Sequence, residues 1–110
     1  MSFAPIMTKN LVNSLMRLIL YSKPGCHLCE GLQEKLQQIQ TLNIDLEVRD
    51  ITTRTDWFQK YQYEIPVLSL VETSGTSEEA SEVPLPRLSP RSTVAQLEKM
   101  LQKYKVIESQ

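Results

Sequence analysis

Two cysteines, Cys26 and Cys29, stand two residues apart in Lys23-Pro-Gly-Cys-His-Leu-Cys29, and the chain has no others. A single close pair cannot staple a small fold, so the spacing points to reversible thiol chemistry or to metal binding. Structural zinc needs four ligands, and the chain offers besides this pair only one histidine, His27, so no metal site is expected within one chain. A c-type haem would need a histidine directly after the second cysteine, where Glu30 stands. Dithiol chemistry remains, with an iron-sulfur cluster bridging two chains as the alternative metal reading.

That chemistry requires one thiolate to be stabilised and its partner to be shielded. The cysteines follow a short apolar run, Arg17-Leu-Ile-Leu-Tyr-Ser22, that suits a strand buried on both faces in the middle of a sheet. From Cys26 to Gln40 apolar residues recur three and four apart at Cys29, Leu32, Leu36 and Ile39, which predicts an amphipathic helix. Cys26 then falls at the helix N-terminus, where unpaired N–H groups and the positive dipole end lower a thiol pKa. Cys29 lies one turn on, within the apolar stripe. The expected order is attack by Cys26 on a substrate disulfide and release by Cys29, with Cys26 the faster thiol to alkylate. His27 could serve the thiolate or simply face solvent on the first turn, and Lys23 could hold a ligand or stand as a surface charge.

Ile44, Leu46 and Val48 alternate with charged residues, as in a half-buried strand nearer the edge. A second helix is expected over Thr53 to Tyr61, with Asp56 answering Thr53 in a capping box and Trp57, Phe58 and Tyr61 packing core and rim. Val67 to Val71 reads as a third strand, the polar stretch Glu72 to Glu82 as a solvated loop in which Glu78, Glu79 and Glu82 only solvate, and Val83 to Leu88 as a weak edge strand limited by Pro84 and Pro86. A last helix capped by Ser92 or Thr93 carries Val94, Leu97, Leu101 and Tyr104 on one face. The order β-α-β-α-β-β-α gives an α/β sandwich with helices on both faces of a mixed sheet.

Pro66 precedes the third strand, where its missing N–H fits only the first residue. A cis Ile65-Pro66 bond there would turn the chain sharply and leave the Ile65 backbone unpaired, free to hold an extended substrate beside the cysteines. Ile65 and Pro66 join Lys23 and His27 as candidate substrate-binding residues.

With 110 residues the chain suits one domain. A hydrophobic fraction of 41% and a net charge of −1 exclude a disordered composition and offer no basic surface for nucleic acid. No apolar run approaches the roughly 18 residues of a membrane span, and the start MSFAPIMTKN lacks the pattern of a signal peptide. The expectation is a cytoplasmic monomer without nucleic-acid or membrane partners. Residues 1–16 are read as an extension, either disordered or a short helix over Leu11 to Met16, residues 17–105 as the domain and 106–110 as a tail.

Leu-Tyr-Ser-Lys-Pro-Gly-Cys-His-Leu-Cys resembles the glutaredoxin active-site segment, and Glu64-Ile-Pro-Val-Leu68 resembles the place where the thioredoxin superfamily sets a cis proline facing its redox pair. The likeness, to small glutaredoxin-like proteins, covers about Arg17 to Lys103. It implies a thioredoxin-like βαβ-α-ββα three-layer sandwich with a mixed four-stranded sheet. It also implies an oxidoreductase of cell redox homeostasis, with Cys26 attacking, Cys29 resolving and Pro66 on the substrate side. Implied partners are disulfide-containing or glutathionylated proteins, with a reductase or glutathione as electron donor. No bound cofactor is implied. Lys23 matches a lysine that in glutaredoxins helps to hold glutathione, but Leu88-Ser-Pro-Arg-Ser92 stands where glutaredoxins place a Gly-Gly pair, leaving Arg87 or Arg91 as substitutes in charge only. Weak glutathione binding is the consequence. The reading of another class is a non-catalytic thioredoxin-fold module whose cysteines act as a redox switch or binding site.

Overall fold

The structure is a computed structural model that describes residues 15–73 and 80–108. Elements follow in the order β1 (Leu15–Ser22), α1 (His27–Gln38), β2 (Asn43–Asp50), a 3-10 turn (Ile51–Thr53), α2 (Thr55–Tyr61), β3 (Val67–Thr73), β4 (Ala80–Pro84) and α3 (Val94–Glu108). Residues 1–14 and the loop 74–79, with Glu78 and Glu79, lie outside the described residues, as does most of the expected extension; Leu15 and Met16 belong to β1. The expected tail is helical as far as Glu108.

The strands form one mixed sheet in the order β2-β1-β3-β4, with β1 parallel to β2 and antiparallel to β3, and β3 antiparallel to β4. The architecture is the three-layer α/β sandwich of the thioredoxin-like type. Successive side chains of β1 point to opposite faces, so its apolar run feeds two cores at once. Leu18 and Leu20 pack with Leu36 of α1, Leu70 of β3, and Leu97 and Leu101 of α3. Ile19 and Tyr21 pack on the other face with Ile51, Trp57, Phe58 and Tyr61. Each aliphatic side chain so buried contributes roughly 1.5–3 kcal/mol.

Three local expectations fail for identifiable reasons. Asp50, not Thr53, starts the turn before α2: its Oδ1 accepts from the Thr52 N–H at 2.9 Å and the Thr52 hydroxyl at 2.6 Å, while the Thr53 hydroxyl donates to the Asp50 carbonyl. Asp56 instead holds the Arg54 guanidinium, and α2 has no side-chain cap. At both described ends of the stretch expected to be a loop, residues 72–73 and 80–82 are strand, since Glu72 pairs with Ser81 and Val71 with Glu82. The fourth strand accordingly ends at Pro84, and only the Leu85 N–H, bonded to the Leu68 carbonyl at 2.9 Å, carries the pairing further. Val48, placed on the buried side by its alternation, is exposed at the end of the outer strand β2.

At α3 a reciprocal capping box forms, with the Gln96 N–H donating to the Thr93 hydroxyl and the Thr93 N–H to Gln96 Oε1. Of the two residues considered for this cap, Thr93 is the one that serves. Losing its oxygen in Thr93→Ala should lower stability by about 1 kcal/mol, measurable by urea denaturation; an unchanged midpoint would show that Ser92 can take over.

Candidate active site

Between β1 and α1 the chain reverses in four residues. The Cys26 N–H donates to the Lys23 carbonyl at 3.2 Å, and Gly25 takes φ +83°. Pro24 and Gly25 thus occupy the two positions where a type II turn favours them, one needing φ near −65° and the other a positive φ. A Cβ at Gly25 would meet no atom within 4 Å, so Gly25→Ala costs only the backbone penalty, about 1–2 kcal/mol. Thermal or chemical denaturation of that variant checks the value, and a neutral result would mean the turn relaxes to another type.

The turn delivers Cys26 to the N-cap of α1. Its Sγ accepts the Cys29 N–H at 3.2 Å and its carbonyl accepts the Glu30 N–H at 3.1 Å. Cys26 is half-buried, whereas Cys29 is 1% exposed. Their Cα atoms are 5.3 Å apart and the two are joined as a disulfide. A pair one turn apart, with one sulfur at a helix N-terminus and the other within the core, can open and close without moving the backbone far.

The other candidates separate. His27 opens α1 with its side chain 94% exposed, and its Nδ1 lies 3.8 Å from Glu30 Oε1, so its polar partner is that carboxylate. Lys23 is exposed on the turn. The Ile65–Pro66 peptide bond is cis. Pro66 shares one groove with His27 and Leu28, the two residues between the cysteines. Ile65, however, packs into the cluster around Tyr21, and its N–H donates to the Tyr61 carbonyl at 3.1 Å. The expectation of an unpaired Ile65 backbone fails for the N–H, because the end of α2 reaches it first.

The groove occupies about 470 Å³ between α1, the start of β3 and the segment after β4. Leu28, Leu32 and Met100 line it from the helices, and Pro84, Pro86 and Leu88 from the facing segment. A lysine and an arginine shape its wall. Lys35 Nζ donates to the Pro90 and Ser92 carbonyls at 2.8 and 2.7 Å, and Arg87 Nη1 donates to the Glu64 carbonyl. Arg91 stands outside the groove, its N–H turned to Ser89 Oγ. Lys35 and Leu28 were not anticipated. Nothing near Lys35 in sequence signals partners 55 and 57 residues away, but Leu28 carried a signal, being a leucine off the buried stripe of its own helix.

On the opposite face Tyr21 is 2% exposed and its hydroxyl donates to Glu82 Oε1 at 2.7 Å. Arg49 Nη1 donates to the same hydroxyl at 3.0 Å, and the guanidinium lies 5.0 Å from the Trp57 ring centre. Glu82 is therefore a structural acceptor, not merely a solvating charge. Burial, then the bond and the charge of Glu82, push the Tyr21 hydroxyl well above the ordinary tyrosine range, against a smaller opposing effect of Arg49.

Among the described residues, no group of three or more histidine, cysteine or acidic side chains is placed to hold a metal ion, and no helix is long and apolar enough to cross a membrane. A search of curated proteins finds none that matches. The family model of the glutaredoxin-like domain (DUF836) matches residues 17–102, which include the cysteine pair, most of β1 and of α3, and all the elements between them. By that match, joined to the sandwich fold and the helix-capping cysteine, the chain belongs to the glutaredoxin-like domain family.

Proposed function

We propose that the protein is a thiol:disulfide oxidoreductase that reduces protein disulfides, with Cys26 as the attacking and Cys29 as the resolving residue. The observation that carries this reading is the pairing of a helix-capping Cys26 sulfur, facing the Cys29 N–H at 3.2 Å, with a Cys29 that is 1% exposed. An N–H aimed at sulfur favours the charged form, and the thiolate is the nucleophile.

The reduced Cys26 thiolate attacks one sulfur of a substrate disulfide. That bond breaks as the Cys26–substrate bond forms, and the departing sulfur leaves as a thiolate and takes up a proton. Cys29 gives its proton to solvent and attacks Cys26 Sγ, which releases the second substrate thiolate. The substrate gains two electrons and the pair loses two. An external thiol reductant, glutathione or the dithiol of a reductase, restores the pair. Pro66 would border the incoming disulfide, and His27 and Lys23 would meet it at the exposed end of the helix. The protein would act as a cytoplasmic monomer without a bound cofactor.

Glutathione fits the groove poorly. Its two carboxylates need cations or close backbone N–H groups, whereas Lys35 and Arg87 are directed at carbonyls of the chain itself and the facing wall contains Pro84, Pro86 and Pro90. Two turnover assays on one sample test the function, one supplied with glutathione and its reductase and the other with thioredoxin reductase. Sustained reduction of a protein disulfide in either supports the enzyme, with the glutathione arm the weaker. Failure of both, with the cysteines still cycling stoichiometrically, leaves a redox switch instead. Limited alkylation of the reduced protein at neutral pH should label Cys26 first, and peptide mapping that found Cys29 first would reverse the roles.

A further inference from the structure

We propose that the outer edge of β2 is a self-association surface, on which a second copy of this chain pairs antiparallel about a two-fold axis at Val48. The inference stands apart from the oxidoreductase reading, since neither cysteine lies on this edge. In the strand order β2-β1-β3-β4, one side of β2 pairs with β1 and, among the described residues, no strand pairs with the other. The backbone N–H and C=O groups on that side are a template for another strand. Val48 is 42% exposed there, the last member of an apolar stripe whose others, Ile44 and Leu46, pack against the core.

Charges on an edge strand ordinarily prevent such pairing, and β2 carries Asp45, Glu47, Arg49 and Asp50. Their spacing selects the occupant. Residues directly opposite in an antiparallel pair lie on the same face, so the two-fold between copies passes through a residue position. Four such registers of Asn43–Asp50 pair five residues or more. Centring on Asp45 sets that carboxylate against itself, centring on Leu46 sets Asp45 against Glu47 twice, and centring on Glu47 sets that carboxylate against itself. Only centring on Val48 opposes no like charges. It puts Val48 on Val48 and Glu47 opposite Arg49 on each side of the axis, where unlike charges attract as like ones would repel. Neither side chain is saturated within its own copy. Glu47 is 55% exposed and a carboxylate has about four acceptor sites. Arg49 Nη1 is held by the Tyr21 hydroxyl at 3.0 Å, but Nη2 reaches Glu47 Oε1 only at 3.5 Å and so is the donor for the carboxylate of the second copy. Five-residue strands side by side bury far less than the roughly 1,200–2,000 Å² of a standard interface, so the association is weak, with a Kd on the order of 0.1–1 mM. At the micromolar concentrations of a turnover assay the chain therefore acts singly, and in the dimer each copy keeps its own Cys26–Cys29 pair.

Sedimentation equilibrium of the full chain, in excess reductant so that no intermolecular disulfide forms, tests the association. At about 1 mM half or more of the chains should be dimeric. Val48→Lys, which sets two ammonium groups against each other on the axis, should leave the circular dichroism of the fold unchanged and weaken the dimer roughly tenfold or more. Glu47→Lys should do the same by setting like charges opposite at Arg49. Register is read separately in a Cys26→Ser, Cys29→Ala background, where Val48→Cys should form a disulfide-linked dimer on mild oxidation faster than Glu47→Cys, because position 48 is the one that faces itself. A chain that stays single at 1 mM, leaving the edge to another occupant, would overturn the proposal. So would a dimer that Val48→Lys does not weaken, or faster cross-linking at position 47 than at 48.

Discussion

Replacing Cys26 with serine is expected to lower disulfide reduction by about a thousandfold or more, while leaving the fold intact. The two outcomes separate because serine is itself a preferred N-cap, and its oxygen can accept the N–H that Cys26 Sγ now holds. A hydroxyl at neutral pH is essentially never ionised, so the nucleophile is lost while the cap remains. Cys29 requires a different choice of residue. At 1% exposure a serine there would bury a hydroxyl at a cost of about 1–3 kcal/mol if unpaired, so Cys29→Ala is the cleaner variant. It should perform the first attack and then stall as a mixed disulfide on Cys26, which mass spectrometry of the quenched reaction would detect as one added substrate. Retained activity in Cys26→Ser, or a trapped substrate on Cys29 of that variant, would defeat the assignment of roles.

The parts of this site that were legible in the sequence are those fixed by local rules. An apolar run, a Pro-Gly turn, a cysteine at the head of a 3.6-residue period and a second cysteine on its stripe place the redox pair without reference to any distant residue. Central β1 and outer β2 follow from continuous against alternating hydrophobicity. The departures from that reading depend on contacts that hydrophobic periodicity does not encode, some near in sequence and some far. Residues 72–73 and 80–82 read as loop because an outer strand can be polar on its open side, and the residue that makes Glu82 structural, Tyr21, lies 61 positions away. Asp50 displaced the expected Thr53–Asp56 box because its carboxylate was the nearer acceptor for the first free N–H groups of the turn. Pro66 was placed correctly at the head of β3, but the neighbouring Ile65 N–H was taken up by the end of α2, a contact that no periodicity encodes.

The same Tyr21 leads to the second large effect, a loss of stability in alkali that one hydroxyl should dominate. In the unfolded chain a tyrosine ionises near pH 10. In the fold the phenolate would be buried and set against the Glu82 carboxylate, so the group holds its proton to higher pH. Because the folded value lies above the unfolded one, the contribution of Tyr21 is whole below about pH 10. It drains as pH rises through the interval up to the folded value. Within that interval the unfolded state binds one proton fewer than the folded state, which lowers stability by about 1.4 kcal/mol per pH unit. Tyr21→Phe keeps the ring against Trp57 and Tyr61 and leaves Arg49 and Glu82 still 3.5 Å apart. At pH 8 that variant should be weaker by about 1 kcal/mol, the usual net value of a hydrogen bond. By pH 11 the wild type should have lost its advantage, so the two stability curves from urea denaturation should converge and then cross. Parallel curves between pH 9 and 11 would place the alkaline loss on other groups. Glu82→Gln gives an independent check, since removing the carboxylate while keeping an acceptor should make the wild-type slope begin to level off at lower pH.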